Sequence, residues 1–405
     1  MTGRKKILLV KPVLPYPPDQ GTKVVSFAIV EALADAFDVT VLARVLDRRE
    51  EALARELAAR GVRVVTVLPL NRTHAAARVA FRAGYLLRSL LTGRSLKSQY
   101  DCPGALVRAA RTLAPEAFDL VILEYWQLYP LFDVFAPERT VLLTHDIDLL
   151  VNRDRAALER RAWTRMKARA RWWMERREEL GAYRRARRML ALTARDADAA
   201  RALSGGRARV EVLPFGLPAG SFAPAGTARA SREVLFLGAL GAAFNRDALI
   251  HFAHDIHPAL ATIAGIRFTV VGGQLPPGLE SFGEAPDVEV AGYAPDVRPF
   301  LDRAACLVVP LRYGGGLRIR IIEAMAAGLP VVASPAAIQG MAVEAGEHVL
   351  VAKTPADYRS HVARVIEDLE FAGALAARAR DHAWRAYGPE ARGPGLRSCV
   401  EHLAR

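Results

Sequence analysis

Short apolar runs rich in Val, Ile and Leu punctuate the whole chain, and stretches of helical spacing separate most of them. In the first half the runs are ILLV (7–10), FDVTVLA (37–43), VRVVTVL (62–68), FDLVIL (118–123), TVLLT (140–144), MLALT (189–193) and VEVL (210–213). Lys23 to Ala36 and Glu50 to Ala59 carry the intervening helical pattern. Strands apolar on both faces, alternating with helices, specify a parallel sheet covered on both sides. The fold class is α/β, and the unit is a doubly wound domain.

The pattern stops at LPFGLPAGSFAPAGTARAS (213–231), rich in Pro, Gly, Ala and Ser. It restarts with EVLFLG (233–238), RFTVVGG (267–273), DVEVAG (287–292), ACLVVP (305–310), PVVAS (330–334) and HVLVA (348–352). A length of 405 residues suits two domains. The division predicted is a Rossmann-like domain over 1–215, a linker over 216–231 and a second Rossmann-like domain over 232–384. Residues 385–405 are expected to return to the first domain as a helix. Ligands of such sheets bind beyond the carboxyl ends of the strands, so the residues following each strand are the ones to read.

Composition narrows the classes. Hydrophobic residues make up 52%, which supports large cores. Cys102, Cys306 and Cys399 are far apart, with no metal-ligand spacing, so a reduced, cytoplasmic protein without disulfides is expected. In MTGRKKILLVKP the apolar run ends at Lys11 after Val10, which reads as a first strand rather than a signal peptide. The uncharged stretch Ala324 to Val343 contains Pro330 and Pro335, so no membrane-spanning helix is expected.

The net charge of +13 is uneven: residues 153–188 hold 14 basic and 5 acidic side chains. Trp163, Met166, Ala170, Trp173 and Leu180 recur there at helical spacing. One reading is a helix packed on a sheet by that apolar face, its arginines in water. The other is attraction to an anionic lipid surface at the inner face of a membrane. No nucleic-acid motif accompanies the charge, so no nucleic-acid partner is expected.

RYGGGLRIRIIEAMAAGLPVV (312–332) follows the strand ACLVVP. Gly314, Gly315 and Gly316 let backbone approach a ligand. A helix expected to begin near Leu317 offers unpaired N–H groups and a positive dipole end to a phosphate. Arg318 and Arg320 add positive charge where the dipole favours acids, which points to an anionic ligand. Glu323 stands two turns in, placed to accept ribose hydroxyls or to pair with Arg320. Asp146 and Asp148 in THDID spell a D-x-D pattern, but no metal is expected. Asp148 reads as the cap of the following helix, and Asn245 as the cap of its own.

The stretch GGGLRIRIIEAMAAGLPVVAS resembles the donor-binding signature of retaining GT-B glycosyltransferases, the large family 4 or group 1 type. Glu323 matches the second Glu of that family's pair, while Gly315 stands where the first is expected. PVLPYPPDQGTK (12–23) resembles the N-terminal glycine loop and assigns Gly21 to the donor phosphates. THDID resembles the strand-end His, which assigns His145 a place beside the transferred sugar. AGYAPDV (291–297) resembles the base-contacting loop and assigns Tyr293 and Ala294. The resemblance therefore implies His145 and Glu323 as catalytic residues. Gly21, Gly315, Gly316, Leu317, Arg318, Arg320, Glu323, Tyr293 and Ala294 would bind the donor. Glu124, Tyr125 and Asp146 would lie on the acceptor side.

The resemblance implies no cofactor beyond a nucleotide diphosphate sugar as co-substrate, and a hydroxyl acceptor, lipid-linked or glycan. The basic, apolar stretch 72–100 belongs to the acceptor half. One departure bears on mechanism. Where the family carries an Arg and a Lys after the first strand of the second domain, this chain has Ala239 and Phe244 in GALGAAFN (238–245). Arg318 and Arg320 are expected to replace that clamp. The gaps at Gly315, Ala239 and Phe244 also leave open a non-catalytic GT-B binding module or partner subunit, and a sugar-nucleotide epimerase or hydrolase of similar fold.

Overall fold

A computed structural model describes residues 4–68, 84, 89, 91–159, 162–222 and 230–404. Most of the basic stretch 72–100, and the middle of the linker, lie outside the described residues. The first sheet contains β1 (Lys6–Lys11), β2 (Asp38–Arg44), β3 (Arg63–Val67), β4 (Leu120–Glu124), β5 (Thr140–Thr144), β6 (Arg188–Ala191) and β7 (Arg209–Val212). The second contains β8 (Glu233–Leu237), β9 (Arg267–Val271), β10 (Val288–Gly292), β11 (Cys306–Val309), β12 (Val331–Ala333) and β13 (Leu350–Val351). Every strand expected from the sequence is present, its ends within two residues of the apolar run.

All pairings are parallel. The orders are β3-β2-β1-β4-β5-β6-β7 and β10-β9-β8-β11-β12-β13. Strand order therefore reverses between β1 and β4 in one sheet and between β8 and β11 in the other, the two places where such sheets bind ligands. Burial on both faces explains the unbroken apolar runs: in β1, Ile7 and Leu9 join one core cluster while Leu8 and Val10 join another.

Eight helices bear on function: α1 (Gly21–Ala34), α2 (Asp148–Leu158), α3 (Ala162–Arg185), α4 (Ala194–Leu203), α5 (Ala243–His251), α6 (Ile319–Ala326), α7 (Leu369–Tyr387) and α8 (Leu396–Leu403). The chain end packs on α1, and Lys5, just before β1, donates from Nζ to the Ala404 carbonyl at 2.8 Å. The Arg188 guanidinium donates to the Leu403 carbonyl.

The basic helix corrects the packing expected for it. Trp163, Met166 and Trp173 are exposed, whereas Glu175, Glu178, Glu179, Ala182 and Tyr183 form the buried side of α3. The glutamates are buried because each has donors. Glu178 accepts from Ser95 N–H at 2.9 Å and Ser98 Oγ at 2.7 Å, Glu175 from Asn152 and Arg171, and Glu179 from Tyr183 Oη. The spacing of the tryptophans was right for a helix, but the face they define looks outward. No helix among the described residues is long and apolar enough to cross a membrane.

Candidate active site

Lys11 ends β1 and Glu124 ends β4, so the first reversal point carries a charge from each side. Both side chains are fully buried, with Nζ 3.1 Å from Oε2. Ser26, on α1, donates to the same carboxylate oxygen at 2.5 Å and receives a bond from Lys11. His145 follows β5, and its Nε2 lies 2.8 Å from Glu124 Oε2. Burial alone would favour protonated Glu124, but Lys11, His145 and Ser26 outweigh it and bring its pKa down to about 2. Burial lowers the His145 pKa against the pull of Glu124. A neutral imidazole facing an ionised carboxylate must carry its proton on Nε2.

Tyr125 stacks on His145 with ring centroids 4.5 Å apart and planes at 12°. It does so from a backbone φ of 82°, a sparsely populated region for a side-chain-bearing residue. Strain of that kind at a strand end is a mark of a site. Glu124 itself does not face an acceptor, because it is sealed beneath the cleft; Tyr125 and Asp146 remain partly exposed.

The second reversal point brings the loop after β8 beside the loop after β11. Gly314 to Arg318 precede α6, which begins two residues past Leu317, at Ile319, with Arg318 as its cap. Arg318 is 7% exposed; its guanidinium donates to the Gly315 carbonyl and lies 5.4 Å from the Phe244 ring centre. Arg320 turns under the β8 loop and bonds the Leu237 carbonyl at 2.5 Å and Asn245 Oδ1 at 2.6 Å. Burial and Arg318 push its pKa down to about 9, leaving it charged at neutral pH. Asn245 does not cap α5; Ala242 holds that position, and the Asn245 amide instead ties Ala239 O at 2.9 Å to Arg320.

Asp148 is not a cap either. It is the first residue of α2, and its carboxylate takes bonds from Lys97, from Trp126 Nε1 at 2.7 Å and from Gln127 Nε2 at 3.1 Å. Burial opposes its ionisation, but Lys97 and Trp126 outweigh burial and hold the pKa low. No cluster of His, Cys, Asp or Glu among the described residues is arranged to hold a metal ion.

The two reversal points meet. A Cβ added at Gly316, whose φ is 70°, would collide with the His145 carbonyl oxygen. One added at Gly315 would lie 2.9 Å from both Asp146 Cβ and Val151 Cγ2. One at Gly21, the first residue of α1, would lie 3.4 Å from Ile319 Cγ1, the first residue of α6. Two helix N-termini, a glycine loop and the strand-end His therefore converge. Buried Asp196 on α4 faces the Gly316 N–H. Glu323 is partly buried on α6, one turn beyond Ile319, and its carboxylate has no hydrogen bond among the described residues. Burial raises its pKa to about 7 against the pull of Arg320.

Thus Gly21, His145, Asp146, Gly315, Gly316, Leu317 and Arg318 come together, with Glu323 on the adjoining helix. Tyr293 and Ala294 do not join them: they follow β10, the edge strand, where Tyr293 Oη donates to Asp19 Oδ2 at 3.0 Å. Lys11, Ser26 and Asp196 were not singled out as site residues. Lys11 left one signal, a charge at the carboxyl end of an otherwise apolar buried strand.

The comparisons agree with this geometry. "Glycosyl transferase 4-like domain" matches residues 20–216 and "Glycosyl transferases group 1" matches residues 231–368, between them most of the chain. A search of curated proteins gives no match. Among solved structures, sucrose-phosphate synthase from Thermosynechococcus elongatus superposes with a TM-score of 0.72 at 17% identity, covering 99% of each chain. Anabaena HepE in complex with UDP-glucose superposes with a TM-score of 0.67 at 16% identity, covering 98% of this chain and 99% of that one. WaaG, a glycosyltransferase involved in lipopolysaccharide biosynthesis, gives 0.61 at 16%, covering 98% of this chain and 99% of that one. At these identities the likenesses establish the fold, and the family matches establish the class. The chain belongs to the GT-B glycosyltransferases.

Proposed function

We propose that the protein transfers a sugar from a nucleotide diphosphate sugar to a hydroxyl acceptor, with retention at the anomeric carbon. The observation that carries this is the convergence of the α6 N-terminus and its glycine loop with the His145 carbonyl. Free N–H groups at a helix start bind a diphosphate, and they stabilise it further as charge gathers on the leaving oxygen. Arg320, charged and fixed under the adjacent β8 loop, adds to that field from a position that replaces the missing Arg and Lys. Glu323 accepts the ribose hydroxyls. HepE, a structural neighbour, was solved with UDP-glucose, which supports a UDP-sugar as the first donor to try.

The sugar's anomeric carbon lies beside His145, held in one tautomer by Glu124. The acceptor hydroxyl attacks from the face the diphosphate leaves, and its proton passes to the leaving phosphate oxygen. Contact between the domains excludes water and limits hydrolysis. Incubation with a panel of nucleotide sugars should release nucleoside diphosphate slowly from one of them, and Glu323→Ala should abolish that release. Binding of every donor with turnover of none, in every acceptor combination, would favour the non-catalytic module.

The acceptor is a lipid-linked or envelope glycan, reached at an anionic membrane surface. Trp163, Met166 and Trp173 stand exposed on a helix dense in arginine, a composition suited to the headgroup region. Co-sedimentation with phosphatidylglycerol vesicles should fall with salt and with Trp163→Ala/Trp173→Ala; absence of binding at low salt would remove the membrane from the reading.

A further inference from the structure

Asp146 directly follows His145, and its Cβ lies against both Gly315 and Gly316. Its carboxylate accepts no hydrogen bond among the described residues, and neither oxygen is both buried and unpartnered, so both reach solvent. Its neighbours in charge are Asp148, Lys97, Asp196 and Arg318. Lys97 is committed to Asp148, and Arg318 to the Gly315 carbonyl. This leaves a half-buried carboxylate with open acceptor sites, resting on a loop built to receive an anion.

A carboxylate in that place repels phosphate and attracts hydroxyl donors. The part of a ligand that lies against Asp146 must therefore be neutral and hydroxyl-rich, with the diphosphate displaced toward the α6 N-terminus and Arg320. The glycine loop cannot supply such an acid itself, because no side chain fits at 315 without moving Asp146 and Val151. We propose that Asp146 is a donor-side residue that accepts hydrogen bonds from hydroxyls of the transferred sugar. The sugar contact is thereby made from the N-terminal domain, across the cleft from the domain that holds the nucleotide.

Burial and Asp148 raise the Asp146 pKa, against the pull of Lys97 and Arg318, and sugar hydroxyls would stabilise the ionised form. This inference rests on the sugar-transfer reading, and the test separates the two. Calorimetric titration uses UDP-glucose, UDP-N-acetylglucosamine, GDP-mannose and ADP-glucose, each beside its free nucleoside diphosphate. Wild-type protein should bind at least one sugar nucleotide more tightly than its diphosphate. Asp146→Asn should leave the diphosphate affinity in place and reduce that preference about tenfold, as expected when a carboxylate acceptor of hydroxyls becomes an amide.

As pH falls below 7 the wild-type preference should also shrink relative to that of Asp146→Asn, a comparison that cancels the terminal phosphate of the free diphosphate, which titrates with both proteins. Taking the ratio cancels the Glu323 contribution, since ribose is common to both ligands. Equal losses for sugar nucleotide and diphosphate, or no loss for either, would overturn the role of Asp146 alone. Failure of the wild-type protein to bind any of the seven ligands would overturn the sugar-transfer reading and this inference with it.

Discussion

The two sheets reverse strand order at equivalent places and equip those places differently. Between β1 and β4 the protein buries a charged pair and a hydroxyl, Lys11, Glu124 and Ser26, with His145 joined to them from the end of β5. Between β8 and β11 it presents main chain instead, a buried glycine loop and a helix start, with Arg320 tucked underneath. The first arrangement fixes the orientation of one imidazole and one carbonyl. The second leaves dipoles free for an incoming anion. One half of the cleft is preorganised by side-chain charge and the other by bare main chain, so substitutions should fail differently in each.

The largest effect is expected at Lys11. Lys11→Met strands the Glu124 carboxylate with only Ser26 and His145, and breaking a buried pair from one side costs about 3–5 kcal/mol. Lys11→Met/Glu124→Gln, which removes both charges, should recover part of that loss in urea unfolding. A single-variant cost below about 1 kcal/mol would mean the pair is not holding the site. The pH dependence has a definite sign. Because the folded pKa of Glu124 is depressed to about 2, its contribution is present above the usual carboxylate value of 4.5 and is lost as pH falls from there toward 2.

The next effect belongs to the other half. Gly316→Ala puts a methyl group into the His145 carbonyl, a backbone atom that no rotamer change can move. Displacing the loop should lower turnover about 10²-fold. Gly61→Ala is the control: its φ is 84°, but nothing lies within 4 Å of the added carbon. It should lose stability from backbone strain alone and retain activity. If both variants lose activity equally, the contact between the domains is not what matters at Gly316.

Glu323 should follow. Glu323→Gln removes a charged acceptor of hydroxyls, worth about 1.5–3 kcal/mol in donor affinity. Its raised pKa gives a further signature. Donor hydroxyls favour the ionised form, so wild-type affinity should rise with pH to about 7 and level off above it. The Gln variant should show a smaller rise over the same range with both the productive nucleotide sugar and its diphosphate, the rise left with the nucleotide sugar being the part that Asp146 contributes.

These regions were unequally legible in the sequence. Strands buried on both faces leave continuous apolar runs, so both sheets could be read directly. Gly315 and Gly316 were visible as a glycine run where backbone can approach closely, and Gly21 and His145 through the resemblance that their motifs carry. The Lys11–Glu124 pair was not, since its partners lie 113 positions apart and meet only once β4 docks beside β1. The inward face of α3 was hidden for a related reason. Its glutamates are buried by donors on other elements, Ser95 and Ser98 among them, and a periodicity of hydrophobicity cannot report that. Arg320 was read as a cation near a phosphate, but its engagement with Leu237 O and Asn245 depends on the β8–β11 neighbourhood.

The smallest effect is expected away from both reversal points, and it sharpens where they end. Tyr293 was assigned to the donor base, yet it follows an edge strand, is 58% exposed and already donates its hydroxyl to Asp19 across the cleft. An exposed hydrogen bond of this kind contributes about 0.5–1 kcal/mol. Tyr293→Phe keeps the ring and removes only that bond, so nucleotide affinity should change by no more than about threefold. Tyr293→Ala removes the ring as well, and a clearly larger loss there would mean that a base stacks on it. A tenfold loss already in the Phe variant would extend the donor site to the edge strand, and would show that the nucleotide half of the cleft also relies on placed side chains.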